Sequence, residues 1–506
     1  MWLLRLSLAM GVIVAAVAAP FNIVIDAGST GCRLYVYQEE ANGLLKGTTG
    51  PKVKPGLSTF TTHPADLKEF IKPLFVEAQS LIPQNEWSRT PVHIKATAGM
   101  RLVTPEQERV IYDTVHSFLS STPDVCPFVV ERASLRTITG AEEGFFGALS
   151  ANYLSGVIDK DRALLHPDHA SSVLGALDLG GSSTQVALHT AAGPAAGPSK
   201  KEKGAGAGSV ESSDFFVHSY LGFGVEKMAE KYAAHLARKG LTHDPCAPPG
   251  WVAPGQAAGA AAAVAVGSGH YDKCKVELAV ALGLECGAND DGRCVMDGVA
   301  LPPVAPEAKF IGMSVYFFAL RSVFLTLAKT SATQPFSWPS PSLVELRSAA
   351  SSFCAVPWSR LEALARDDSK GGAADNGTGM GWERFMGDAE QRLVELPERC
   401  IQAAYIDLLL GSVYGVPPDK HNVMIALDIN SMEVEWTLGS VLASSSDGSE
   451  VGSEAGAGAA GAGPGGHTAV DAVLVFLVLF VSLAAALLCL RVGFQLASGR
   501  KTGRAK

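Results

Sequence analysis

Two short stretches of this 506-residue chain carry side chains suited to chemistry at close spacing. Residues 21–37 read FNIVIDAGSTGCRLYVY. Ile23, Val24 and Ile25 form an apolar, β-branched run that predicts a buried strand, and Leu34 to Tyr37 predict a second one. Between them lies a tight turn that starts at Asp26 and continues through Gly28, Ser29, Thr30, Gly31, Cys32 and Arg33. Glycines there let backbone N–H groups approach a ligand, and successive N–H groups form an anion nest. Ser29 and Thr30 add hydroxyl donors. The ligand that suits this turn is a phosphate, and Asp26 is placed to hold a metal or a metal-bound water. Residues 175–188, GALDLGGSSTQVAL, repeat the design. Asp178 is followed by Gly180, Gly181, Ser182, Ser183, Thr184 and Gln185, and a second strand then starts. Two such hairpins predict two similar lobes gripping one phosphate chain.

The segments between and after the hairpins must position them. Residues 64–82 predict an amphipathic helix, with Leu67, Phe70, Ile71, Leu74, Phe75 and Ala78 on one face and Pro73 as a possible kink. Residues 91–101 predict a strand that runs into Thr97, Ala98, Gly99 and Arg101. A helix from about Pro105 to Ser120 follows, which suits anion binding at that turn. Residues 138–154 predict a helix entered from Thr139-Gly140. Glu142 and Glu143 both sit in its first turn, where carboxylates suit the helix dipole. Either both are solvated, or one faces the cleft as a general base, and the spacing does not choose. Residues 215–237 predict a strand and then a helix. Residues 310–328 read as one strongly apolar helix, 401–410 as a buried helix, 423–428 as a strand, and Trp436 as the start of a last helix. The Gly/Ala/Ser-rich inserts at 190–212 and 253–269 read as surface loops.

A net charge of −9 argues against nucleic-acid binding, which favours a basic face. Both ends are apolar. Residues 6–19 read as a signal peptide or a short uncleaved anchor. Residues 472–490 are uncharged, and a helix rising ~1.5 Å per residue would cross the hydrocarbon core over that length. Arg491, Arg500, Lys501, Arg504 and Lys506 follow it, which predicts a cytoplasmic tail at 491–506 and a lumenal or extracellular globule. Residues 443–468 read as a flexible stem. The cysteines suit an oxidising compartment, and Asn376-Gly377-Thr378 is a glycosylation sequon. The spacings lack the CxxC pairs of a zinc site. Spacing leaves the disulfide connectivity open; the pairs expected are Cys246–Cys286, Cys274–Cys294 and Cys354–Cys400.

Five stretches together resemble the apyrases, or nucleoside triphosphate diphosphohydrolases, a family that includes Golgi nucleoside diphosphatases. They are IVIDAGSTGCRLYVY (23–37), KATAGMR (95–101), ITGAEEGFFGALSANYL (138–154), ALDLGGSSTQVAL (176–188) and WTLGSVL (436–442). FCAVPW (353–358) and RCIQAAYIDLLL (399–410) are similar to the family's later cysteine pair. The resemblance implies an α/β fold of the actin and hexokinase type: two RNase-H-like lobes with a central nucleotide cleft. Lobe one would span 21–140, with 427–442 returning to it, and lobe two 141–426. Glu143 matches the family's catalytic base, and Asp26 and Asp178 match the acids that hold a divalent cation, Ca²⁺ or Mg²⁺, through water. Ser183 and Gln185 match residues that position the attacking water. Ser29 to Arg33, Thr97, Ala98, Gly180, Gly181 and Ser182 match the phosphate cradle, to which the turn itself adds Gly28 and Thr184. Phe317 falls near the family's base-stacking aromatic. Cys32 stands where the family often has Ser or His. The implied activity is hydrolysis of the terminal phosphate of nucleoside tri- or diphosphates. The rivals are a Golgi diphosphatase restricted to GDP and UDP, a kinase or exopolyphosphatase on the same superfold, and a non-catalytic nucleotide-binding protein.

Overall fold

The computed structural model describes residues 20–166, 172–190, 209–253, 266–287, 292–330, 335–366 and 389–446. The leading apolar segment, most of both inserts, the sequon, most of the stem, the 472–490 run and the basic tail lie outside these residues. Among the described residues, no helix is long and apolar enough to cross a membrane.

The chain starts with a meander, β1 (Phe21–Ala27), β2 (Cys32–Glu39) and β3 (Leu45–Val53). Helix α1 (Leu67–Leu81) follows and runs through Pro73. Then come β4 (Pro91–Ala96), the single turn α2 (Ala98–Arg101), α3 (Pro105–Ser121) and β5 (Val129–Thr137). The strands form one sheet in the order β3-β2-β1-β4-β5, antiparallel through the meander and parallel from β1 to β5. Helix α4 (Gly140–Leu154) leads out of it.

The second sheet starts with another meander, β6 (Gly175–Leu179), β7 (Ser183–His189) and β8 (Phe215–Leu221). Helix α5 (Val225–Lys239), the short paired strands β9 (His243–Asp244) and β10 (Val266–Gly267), and α6 (Tyr271–Ala281) come next. Strand β11 (Phe310–Ser314) then runs directly into α7 (Val315–Thr330). Helices α8 (Leu343–Cys354), α9 (Trp358–Arg366), α10 (Ala389–Glu395) and α11 (Arg399–Asp407) precede β12 (Val423–Ile425). The sheet order is β12-β11-β6-β7-β8, with the same senses as the first sheet. The repeated hairpin thus belongs to a repeated five-stranded topology, and the chain is a two-lobe α/β fold. A small hairpin, β13 (Asp428–Ile429) and β14 (Met432–Glu433), leads to α12 (Trp436–Ser446).

Three apolar cores match this plan. One lies between the first sheet and α1 and α3, with Ile23, Ile25, Ile71, Phe75, Ile94 and Val115. A second fills lobe two and contains Leu177, Leu179, Phe317 and Phe353. The third joins the lobes: Val24 and Tyr35 from one sheet and Ala176 and Met313 from the other enclose Phe146 and Leu149 of α4 and Leu438 and Leu442 of α12. Tyr37 and Thr437 share a 2.7 Å hydroxyl contact that ties α12 to β2.

Several expectations need correction. The 310–328 run is a strand followed by a helix, because Phe310–Ser314 pairs with β6 on one side and β12 on the other. The 423–428 strand stops at Ile425. Helix α11 ends at Asp407 and continues as a π turn, Leu408–Val413. Helix α12 runs through Ser446, so the first residues of the expected stem are helical. Two expected disulfides re-pair as Cys246–Cys274 and Cys286–Cys294, while Cys354–Cys400 forms as expected. The reason is local: an antiparallel bridge between Glu285 and Val295 folds 286 and 294 against each other. Cys274, on the buried face of α6, is thereby left to meet Cys246.

Candidate active site

Period-two alternation aims the acids. On β1, Ile23, Ile25 and Ala27 enter the lobe-one core, so Val24 and Asp26 point the other way. On β6, Leu177 and Leu179 enter the lobe-two core, so Ala176 and Asp178 point toward the first lobe. Both aspartates face a cleft of about 340 Å³ lined by the two hairpin turns. The turns approach closely: a Cβ built on Gly181 would lie 2.9 Å from Ser29 Oγ across the cleft, so a larger residue there would have to displace that side chain.

The structure also separates the two glutamates. Thr139 Oγ1 accepts the Glu142 N–H at 3.1 Å, and Glu142 Oε2 accepts the Thr139 N–H at 2.7 Å. Glu142 is therefore committed to the capping box of α4, and it pairs with Arg136 at 2.6 Å. One residue further round the helix, Glu143 is buried and lines the cleft. Its Oε2 accepts from the Arg101 guanidinium and, at 2.9 Å, from Gln185 Nε2. Gln185 Nε2 also lies 2.7 Å from Ser183 Oγ. Arg101 is fixed in turn by the Ile138 carbonyl at 2.9 Å.

Burial pushes the Glu143 carboxyl up to about 7; the Arg101 charge opposes this and Asp178 adds to it. Burial likewise pushes Asp26 up to about 7, with Lys52 opposing. Asp178 is raised by burial against hydrogen bonding from Ser314 and the Leu179 backbone. Asp26 Oδ1 and Asp178 Oδ1 are buried acceptors with no hydrogen-bond partner. Such atoms fit a cation or its bound waters. Among the described residues, no three His, Cys, Asp or Glu side chains are grouped to chelate an ion directly.

Gly28, Ser29, Thr30, Gly31, Arg33, Thr97, Ala98, Gly180, Gly181, Ser182 and Ser183 all line the cleft. Arg33 also pairs with Glu433 at 3.5 Å. Three expected residues stand elsewhere. Cys32 is fully buried in the lobe-one core, because it falls on the Ile25–Ala27 side of the hairpin, and burial pushes its thiol far up. Thr184 is fully buried and donates to the Asp178 carbonyl at 2.7 Å, so it braces the loop from behind. Phe317 packs in the lobe-two core against Trp338. Phe318, one position round α7, lines the cleft instead, together with Tyr35 and Trp436.

The sequence reading missed Lys52, Ser314 and Glu435, which also line the cleft, and the bracing role of Arg101. Lys52 Nζ donates to Thr30 Oγ1 at 3.0 Å. Ser314 has φ of 58°, a left-handed backbone at the junction of β11 and α7. Glu435 is pushed far above the carboxylate range, by burial first and then by the charges of Asp178, Asp26 and Glu433.

Residues 14–450 match the model of the GDA1/CD39 (nucleoside phosphatase) family. The chain belongs to that family. Among curated relatives, the Golgi apyrase of Saccharomyces cerevisiae is 29% identical, covering 83% of this chain and 70% of that protein. Nucleoside-triphosphatase ntp-1 of Caenorhabditis elegans is 26% identical over 84% of this chain and 73% of its own. Nucleoside-diphosphatase mig-23 of the same organism is 25% identical over 83% and 76%. A nucleoside triphosphate hydrolase structure from Neospora caninum shares the fold at 13% identity and a TM-score of 0.55, covering 85% of this chain and 93% of that one. This GDA1/CD39 member is accordingly a nucleoside phosphatase, and its Asp26 and Asp178 loops face one cleft.

Proposed function

We propose that this enzyme removes the terminal phosphate of nucleoside tri- and diphosphates with a divalent cation, Ca²⁺ or Mg²⁺. The observation that carries the reading is Glu143, a buried carboxylate braced by Arg101 and Gln185 at the edge of a cleft between two phosphate-type loops. The backbone of 28–31 and 180–182, with Ser29 and Thr30, would hold the phosphates. Ser183 and Gln185 orient a water. Glu143 takes one proton from it as the oxygen attacks the terminal phosphorus in line. The bond from phosphorus to the bridging oxygen breaks, and the shortened nucleotide leaves with that electron pair. Asp26 and Asp178 would hold the cation through its waters; when bound, it neutralises charge on the phosphate oxygens. Phe318 offers a face for the base.

Lobe boundaries at 21–140 with 427–442, and 141–426, follow from this reading. So does a membrane anchor at 472–490 with the globule in the secretory pathway or outside the cell, which the three disulfides support. A second reading is a diphosphatase restricted to GDP and UDP; the likeness to nucleoside-diphosphatase mig-23 supports its preference for diphosphates. The test is phosphate release by the full chain from ATP, ADP, UDP and GDP, with Ca²⁺, Mg²⁺ or chelator. Release from all four supports the first reading, and release from GDP and UDP alone supports the second. Nucleotide binding without turnover would overturn both.

A further inference from the structure

Two acids of the cleft are left without a task by the phosphatase reading, Glu226 and Glu435, and Glu435 is the one that feels the charges of both Asp26 and Asp178. It directly precedes α12, the helix that packs on α4 and so shares a frame with Glu143. It lines the same cleft as Asp26 and Asp178. Its neighbour Glu433 is already occupied, accepting from the Tyr35 hydroxyl at 3.3 Å and pairing with Arg33. The carboxylates of Asp26, Asp178 and Glu435, with Glu143 and Glu226 on the same cleft, repel each other unless positive charge lies between them. Two of them keep a buried oxygen with no protein donor, Asp26 Oδ1 and Asp178 Oδ1. The waters of a hydrated ion would supply those oxygens with donors.

We propose that Glu435 is a third cation-positioning residue, which accepts hydrogen bonds from waters of the divalent ion from the α12 side of the cleft. Asp26 and Asp178 then hold the ion from the two sheets, and Glu435 closes the third side. A hydrated ion held on three sides sits at a fixed height over the phosphate chain. Because the ion keeps its waters, the site accepts both Mg²⁺ and Ca²⁺. This proposal rests on the cation-dependent phosphatase reading and adds a residue to it.

The test reads cation binding rather than turnover. Full-length protein carrying a non-hydrolysable nucleotide is titrated with Mn²⁺, Mg²⁺ and Ca²⁺, followed by Mn²⁺ spin resonance and by cation-dependent melting temperature. Glu435→Gln is expected to weaken cation binding by about 10–100-fold, the usual effect of an outer-shell ligand, while nucleotide binding in chelator stays unchanged. Glu435→Asp should recover part of the loss, which a merely structural role of the side chain would not give. Asp26→Asn and Asp178→Asn are measured beside it. If they weaken cation binding and Glu435→Gln does not, the proposal is overturned and the phosphatase reading stands. If none of the three changes it, the cation centre itself is wrong.

Discussion

Glu143 is held by opposing forces. Burial raises its carboxyl, and Arg101 pulls it back, so that it reaches only about 7. A general base works best with a pKa near the working pH, and the side chain must be ionised to act. Activity should therefore fall as pH drops through about 7. Replacing Arg101 by Met removes the opposing charge, so the acidic limb of the kcat/KM profile should move to higher pH; an unmoved limb would show that Arg101 does not tune the base. Glu143→Gln should lower kcat by about 10²–10⁴-fold and leave nucleotide binding in place, as read by single-turnover phosphate release and a binding titration. At this scale the sequence was legible where a residue type has one use. The aspartates, the glycines and the serines of the two turns could be read directly. The spacing left the choice between Glu142 and Glu143 open; the structure makes it, through the capping box of Thr139 and Glu142, which commits the first acid to the helix end. Glu435 was not readable, since it precedes the Trp436 motif and only the fold brings it to Asp26 and Asp178.

At the scale of elements, the lobes meet through α4 and α12, which pack between the strands that carry Asp26 and Asp178 while α4 carries Glu143. The packing is backbone-close: a Cβ on Gly439 would lie 1.8 Å from the Phe146 carbonyl oxygen. Gly439→Ala must push the two helices apart. It should cost about 2–3 kcal/mol in denaturant unfolding and should lower kcat as well, because Glu143 rides on α4. A variant with native stability would show that the helices can separate freely. The helix starts near Pro105 and at Gly140 were legible, and in the structure Thr104 and Thr139 cap them, side chain and backbone satisfying each other. The strand inside 310–328 was hidden because Phe310–Ser314 is apolar on both faces, and its apolar run continues into α7 without a break. That error also displaced the aromatic, since the true start of α7 at Val315 turns Phe317 into the core and Phe318 onto the cleft wall. Disulfide pairing failed for a similar reason, because the Glu285–Val295 bridge joins segments whose spacing carries no signal.

For the whole molecule, the two copies of one sheet topology put like charges face to face, which ties stability to protons and to the cation. Asp26 rises from 3.8 to about 7 and Glu143 from 4.5 to about 7. A carboxyl with a higher value in the folded chain keeps its proton after the unfolded chain has lost it. Between about pH 4 and about pH 7 these groups therefore bind more protons in the folded state, and their contribution to stability falls as pH rises through that window. A divalent cation reverses the balance, because it binds the ionised acids and competes with their protons. The rise in melting temperature on adding Ca²⁺ or Mg²⁺ should thus be small near about pH 5.5 and large near about pH 8. Taking the difference with and without cation at each pH cancels the other titrating groups, so the trend reports the cleft. In Asp26→Asn the pH dependence of that difference should flatten, since one of the carboxyl protons that compete with the cation is gone. A cation effect of equal size at both pH values in the unmutated protein would mean that the ion binds away from these acids.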